Sequence, residues 1–292
     1  MIANNTKTRP TRVSAPNGDA HRTMRNLGPL ERRRADYPRA AVKEWPAPSW
    51  DNALIRKVSN FIRLSPDEKE CLVDLQSKSE KVTAGTDLAF EGQTERRVYI
   101  LQSGWAYCYK LLPDGGRQVI TFSVPGDFLG LRSILLRASD HSFATVTDSV
   151  VSPISVASIF RVFKECPRMG QAILWTISRD QAISVEHLVG VGRRSAVERT
   201  AHFFLEMKDR LSLAGISSET GFECPLNQYL LSDALGLTAI HLNRVLRQLR
   251  ERGLMTVKEN RVLIHDMKGL TQLAGYDNAY LDQPPPLVEA ES

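Results

Sequence analysis

The chain has little cysteine, and none of it is clustered. Cys71, Cys108, Cys166 and Cys224 are the four thiols of 292 residues, with no CxxC pair, which argues against a zinc knuckle or an iron–sulfur centre. They read as reduced, partly buried thiols. The six histidines, His21, His141, His187, His202, His241 and His265, are equally dispersed. No HxxxH or HExxH spacing, GxSxG elbow or Ser/His/Asp order appears, so a hydrolase or metalloenzyme reading has no support and no catalytic residue, metal or cofactor is expected. There is no run of about 18 apolar residues, the densest patch being Ala172–Ile177, so no membrane span is expected. The N-terminus has no apolar segment either, which argues against a secretory signal and for the cytoplasm.

Charge is unevenly spread. Residues 1–45 hold ten Lys/Arg against four Asp/Glu, whereas the other 247 hold 28 against 29, so the net +5 resides in the N-terminal segment. Rich in Asn, Thr, Pro and Arg, with the Arg32–Arg34 triple, residues 1–50 read as a disordered basic tail. Such a tail either adds non-specific phosphate affinity or is a solvated extension. A hydrophobic content of 42% is enough for proper cores in about two domains.

The richest local signal is Asn227–Met255. Leu230, Leu231, Ala234 and Leu235 share one helical face, Gly236 suits a left-handed helix end, and Leu237 fills the corner. Thr238 then caps a second helix that buries Leu242, Val245, Leu246 and Leu249 and ends at Gly253. Its outward face carries Ile240, Asn243, Arg244 and Arg247. An amide and two guanidinia at that spacing suit a major groove, where Asn matches adenine and Arg matches guanine. The alternative is an ordinary helical hairpin with a solvated face. Two β-rich runs follow around Glu259–Asn260, placing Lys258 and Arg261 at the tip of a hairpin suited to phosphates. A helix-turn-helix followed by a basic wing is more specific than either piece. Asn227, Gln228, Thr238 and Ala239, at the helix starts, complete the expected DNA-contact set.

Upstream, order is expected from about Asp51. Ser65-Pro66-Asp67-Glu68 predicts a capped helix to about Gln76. Short β-rich runs follow at 81–83, 87–91, 97–101, 105–112, 117–124 and 143–156, punctuated by glycine, the pattern of a sandwich or barrel. Residues 167–191 form the longest predicted helix. Leu174, Ile177, Leu188 and Val191 fall near heptad positions, with Gln181 and Ser184 interrupting the seam, as in a dimer helix that must also adjust. Gly190 and Gly192 predict a hinge. Ser195–Glu198 is a second capping box, opening a helix with Val197, Ala201, Phe204, Leu205 and Leu211 inward, and 215–223 reads as a polar loop.

Taken together, this order resembles the Crp/Fnr family of bacterial transcription regulators over roughly residues 55–275. The resemblance is carried by Gly104-Trp105, the string YKLLPDGGRQVITF, Pro125-Gly126-Asp127-Phe128 with Gly130, Ala196-Val197-Glu198-Arg199-Thr200-Ala201, and Leu235–Thr238 with Asn243–Leu249. These strings are similar to the alphaproteobacterial subgroup, which serves oxygen-limitation, nitrogen-oxide and stress responses. The resemblance implies an α+β architecture: a cyclic-nucleotide-binding-like β-roll (51–160), a dimerisation helix and hinge (161–192), a winged helix-turn-helix (193–276) and a flexible tail (277–292). It implies a homodimer on an inverted-repeat DNA operator, with RNA polymerase as a further partner; an activator is the reading taken, the sequence itself leaving activation and repression both open.

Departures from the family matter as much. Its cyclic-AMP pocket pairs a Gly-Glu with the ribose and an Arg-Ser with the phosphate, whereas the corresponding positions here are Gly130-Leu131 and His141-Ser142. A cyclic nucleotide is therefore not the expected effector, and the four residues are only a tentative pocket for an unknown small molecule. The N-terminal cysteine cluster of oxygen-sensing members is absent. Ile240 stands where several members place a glutamate, while Arg244 keeps the base-reading arginine. Competing readings are a cyclic-nucleotide regulatory module of an enzyme or channel, and a regulator without ligand controlled by its own abundance. Thiol control through Cys224 and haem sensing through His141 or His187 are weaker alternatives.

Overall fold

The structure, a computed structural model, describes residues 52–281. The expected basic tail 1–50 and residues 282–292 of the expected flexible tail lie outside the described residues.

Asn52 caps α1 (Ala53–Phe61), its Oδ1 accepting from the Ile55 N–H at 3.0 Å, and Leu54, Ile55 and Val58 are buried. In α2 (Pro66–Asp74) the expected capping box forms, Ser65 Oγ accepting from the Glu68 N–H and the Glu68 carboxylate from the Ser65 N–H. It stops before Gln76, whose side chain turns back to donate to the Leu72 carbonyl at 2.9 Å.

The roll consists of β1 (Glu80–Val82), β2 (Asp87–Ala89), β3 (Val98–Ser103), β4 (Ala106–Leu111), β5 (Arg117–Ser123), β6 (Phe128–Leu129), β7 (Ser142–Thr145) and β8 (Ser149–Ile154). They form two antiparallel sheets ordered β1-β8-β3-β6 and β2-β7-β4-β5, with Leu88, Leu101, Cys108, Leu129, Phe143 and Val151 packed together. The run expected over 143–156 is two strands. Val146 leaves the ladder to donate to the Trp105 carbonyl at 2.7 Å, and the chain crosses from one sheet to the other. Gly126, at φ 86°, lies so close to α1 that a Cβ would come within 2.7 Å of the Ala53 carbonyl carbon. That approach seats Asp127 in the interior.

The next helices are α3 (Val156–Glu165), α4 (Pro167–Arg193) and α5 (Ala196–Leu213). Two corrections to the expected dimer segment follow. Residues 161–165 end α3, and Cys166 separates them from α4. The expected glycine hinge is inside the helix: Gly190 is buried, and Arg199 Nη1 donates to the Gly190 and Val191 carbonyls at 3.1 and 3.4 Å, satisfying groups a helix end leaves bare. The bend falls at Arg194 and Ser195, both extended. The Ser195–Glu198 capping box forms, and Ala201, Phe204, Leu205 and Leu211 are buried as expected.

The C-terminal unit adds β9 (Gly221–Glu223), α6 (Gln228–Leu235), α7 (Ala239–Glu251), β10 (Met255–Lys258), β11 (Arg261–Ile264) and α8 (Met267–Ala274). The expected loop 215–223 thus contains a strand, and the wing is a three-stranded sheet ordered β10-β11-β9. Residues 277–281 are not a flexible tail: Tyr280 donates to Glu206 Oε2 at 2.9 Å and Leu281 is buried. One apolar cluster runs from Trp105, just before β4, with Tyr107 on β4 and Phe122 on β5, through Phe203 and Phe204, to Leu230, Leu242 and Leu249. Each such buried side chain contributes about 1.5–3 kcal/mol, so roll and winged helix share their stability.

Candidate nucleic-acid interface

Helices α6 and α7 meet at Gly236, whose φ of 61° ends α6. Asn227 Oδ1 accepts from the Tyr229 and Leu230 N–H groups at 3.0 and 2.9 Å, and Thr238 Oγ1 accepts from the His241 N–H at 3.2 Å. These two side chains, expected as DNA contacts, have their oxygens engaged as helix caps. Ala239 is half-buried. Leu242, Val245 and Leu249 bury the inner face of α7 as expected.

The outer face presents Ile240, 69% exposed, with Asn243, Arg244 and Arg247. Asn243 Nδ2 donates to Gln228 Oε1 at 2.9 Å, fixing one helix to the other. Arg247 Nε pairs with Glu251 at 2.7 Å along the exposed face, whereas Arg244 has no ion-pair partner among the described residues. His241, Arg250 and Arg252 are also exposed there and were missed. At about 100° per residue His241 falls about 60° from Arg244 and is legible from the period, whereas Arg250 lies about 120° round the helix and Arg252 caps its end.

At the wing tip Lys258 and Arg261 are cross-strand partners, and Glu259 and Asn260 take φ of 52° and 58°, a two-residue turn with both centres left-handed. The Asn260 carbonyl accepts from the Cys224 N–H at 2.7 Å, anchoring the tip to the body. Lys258 and Arg261 lie 3.0 and 3.8 Å from Glu259 and Glu223, all four side chains being exposed, so these pairs are weak and open to replacement by phosphates. Cys224 is buried, and burial pushes its thiol up to about 12. It is not the accessible redox thiol considered from its position.

Beneath α5 lies an ionic cluster. Asp127 meets Lys57 at 2.6 Å, Arg210 at 3.1 Å and Arg179 at 3.3 Å. Burial alone would raise its carboxyl; the three cations win and hold it far below the usual carboxylate range. Burial also brings Lys57 down to about 8. His187 Nδ1 lies 3.0 Å from the Ile120 carbonyl and Nε2 3.1 Å from Glu206.

The tentative effector residues are only partly brought together. Gly130, Leu131 and His141 line a cavity in the roll, whereas Ser142 is buried beside β2 and its hydroxyl accepts from the Glu91 N–H at 2.9 Å. The cavity leaves the centre of a water molecule about 40 Å³. It does contain a guanidinium, that of Arg132, but Asp140 occupies it at 3.2 Å and also touches His141. Burial holds His141 below its ordinary value. The Asp180 side chain, from α4, forms no hydrogen bond or ion pair among the described residues, and burial pushes its carboxyl up to about 6.

On α4 the expected seam divides. Leu174 (54% exposed), Gln181, Leu188 (71%) and Val191 face outward, joined by Val185 (47%), which sequence reasoning passed over. Ile177 packs on the core, and Ser184 lines the cavity and donates to the Asp180 carbonyl at 2.9 Å. Among the described residues, no group of three or more His, Cys, Asp or Glu is placed to hold a metal ion, and no helix is long and apolar enough to cross a membrane.

Residues 79–166 match the cyclic nucleotide-binding domain family, and residues 198–273 the Crp-like helix-turn-helix domain family. The chain is 31% identical over 190 residues to the transcriptional activatory protein AadR of Rhodopseudomonas palustris, covering 63% of this chain and 76% of that one. It is 29% identical over 194 residues to the nitrogen fixation regulation protein FixK of Bradyrhizobium diazoefficiens, covering 66% and 80%. The solved structure of FixK2 from Bradyrhizobium japonicum superposes with a TM-score of 0.62 at 23% identity, covering 68% of this chain and 98% of that one. At that identity the likeness speaks for the fold.

Proposed function

Because the chain belongs to the Crp/Fnr family and is a DNA-binding transcription regulator of that type, we propose how it reads DNA and pairs with itself. Two copies join along the exposed α4 stripe of Leu174, Gln181, Val185 and Leu188, and present their α7 helices to successive major grooves of an inverted repeat, half-sites about one helical turn apart. Arg244 reads guanine through a bidentate contact, Ile240 meets a thymine methyl, and Asn243 reads adenine on exchanging its bond to Gln228. Lys258 and Arg261 clamp phosphates without reading sequence.

The observation that carries this reading is the exposed Arg244, without an ion-pair partner among the described residues, on the α7 helix that the wing follows. The chain acts by recruiting RNA polymerase in the cytoplasm rather than by catalysing a reaction, and activation follows the name of its relative AadR. Its effector, where it uses one, is a small molecule other than a cyclic nucleotide; the alternative is control by abundance. Selection of bound duplexes from a random pool tests the reading. The enriched sites should be inverted repeats with a guanine at one fixed position of each half-site; enrichment of sites without two-fold symmetry would overturn it.

A further inference from the structure

Two of the dispersed cysteines come together. Cys71 lies on α2 and Cys166 between α3 and α4, both half-buried and both free, facing the same groove and close enough for each thiol to act on the other electrostatically. Cys166 is held firmly: its N–H donates to the Val162 carbonyl at 2.8 Å, and its carbonyl accepts from Met169 at 2.8 Å and Gly170 at 3.1 Å. Both cysteines line one open groove, which offers water about 570 Å³. By contrast, Cys108 and Cys224 are buried at 3% and 1% exposure.

The groove selects among oxidants. Asp67, Glu70, Asp74 and Glu165 line it against Lys78 and Arg161, an acidic balance that disfavours anionic disulfides and admits neutral molecules. We propose that Cys71 and Cys166 form a modification site at which a neutral hydroperoxide makes an intramolecular disulfide, tying α2 to the start of α4. One thiolate attacks a peroxide oxygen; the S–O bond forms as the O–O bond breaks, giving a sulfenic acid. The leaving oxygen takes up the proton lost by the thiol and departs as water from hydrogen peroxide or as an alcohol from an organic hydroperoxide. The second sulfur attacks the sulfenic sulfur, the S–S bond forms and the S–O bond breaks, releasing water. Two small-molecule thiols reverse the change through a mixed disulfide, leaving as their own disulfide. Where disulfides form in reducing compartments they are usually transient, as a reversible link of this kind would be. Burial, the neighbouring thiol and the charges of Asp74 and Glu165 push the Cys71 thiol up to about 12, so the reaction is slow at neutral pH and faster as pH rises.

The test treats the reduced full chain with hydrogen peroxide, caps free thiols with a maleimide before and after denaturation, and maps the peptides by mass spectrometry. A peptide pair joined Cys71 to Cys166 is expected, with Cys108 and Cys224 capped only after denaturation and dithiothreitol restoring all four thiols. Cys71→Ser and Cys166→Ser should each abolish the link. Natively folded protein in which both cysteines remain cappable after peroxide, or are overoxidised singly without a link, would overturn the site. Glutathione disulfide at equal concentration should react at least roughly tenfold more slowly; equal rates would overturn the assignment of a hydroperoxide.

Discussion

Arg117 on β5 holds Asp233 on α6 through two nitrogens, Nε at 3.1 Å and Nη2 at 2.8 Å, while its Nη1 donates to the Tyr107 hydroxyl at 2.9 Å. The pair is largely buried, and Gln118 reaches the Ala234 carbonyl at 3.5 Å beside it. A strand of the roll is thereby bonded to the first helix of the helix-turn-helix. Removing one partner leaves the other desolvated, so Arg117→Gln should cost about 3 kcal/mol in urea unfolding. A double-mutant cycle with Asp233→Asn should show a coupling of about 1–3 kcal/mol. Strict additivity would mean that the contact does not couple the two parts.

Arg244→Ala should weaken the selected operator by about 1–3 kcal/mol and relax preference at one base pair per half-site, because a bidentate contact is lost. Arg261→Ala on the wing should instead weaken all duplexes alike and lower the salt dependence. Equal affinity of Arg244→Ala and the parent for the selected operator, measured by fluorescence anisotropy, would move base reading to another residue.

These contacts were legible to different degrees, and the reason is sequence distance. The α6–α7 corner, its caps and the two capping boxes depend on residues three or four positions apart, so periodicity and cap chemistry disclosed them. Arg117 and Asp233 are 116 positions apart, and nothing local to either announces the other. The strand Gly221–Glu223 looks like a loop in sequence because three residues with a leading glycine carry no period of their own; its order comes from pairing with β11. The glycine hinge failed for the converse reason. Gly190 and Gly192 weaken a helix intrinsically, but Arg199, brought back by the turn at Ser195, satisfies the carbonyls there. In the cavity, Leu131 and His141 were foreseen, whereas Arg132 with Asp140, and Asp180 from α4, emerged only in three dimensions.

Val185→Glu combined with Leu188→Glu should dissociate the homodimer. Both side chains are exposed on one chain, so the charges do not disturb its fold but would face each other, desolvated, across the seam. Sedimentation should report a monomer, and operator binding should fall with it. A double variant that stays dimeric would place the interface elsewhere.

Asp180 gives a pH signature. Burial lifts its carboxyl from an ordinary value of 3.8 to about 6, so the folded state binds this proton more tightly than the unfolded state. Its contribution is therefore fully favourable below about pH 3.8 and is lost as pH rises to about 6. Asp180→Asn, which needs no proton, should be more stable than the parent by on the order of 1–2 kcal/mol at pH 8. That advantage should shrink towards pH 4. An advantage independent of pH in paired urea titrations would show that Asp180 does not titrate in this range.

Cyclic AMP should leave the protein unaffected. The family's clamp meets the cyclic phosphate with a free, permanently charged fork, but here Arg132 is already held by Asp140, and His141 is a buried imidazole kept below its ordinary pKa. Leu131 offers the ribose hydroxyls no acceptor. The Asp180 carboxylate, mostly ionised at neutral pH, opposes a second anion. Millimolar cyclic AMP should thus change neither operator affinity nor melting temperature. A site of micromolar affinity would instead add roughly 4 kcal/mol at a thousandfold excess over its dissociation constant. A stabilisation of that size would mean that Arg132 leaves Asp140 for the phosphate, and Asp140→Ala should then tighten binding further by freeing the guanidinium.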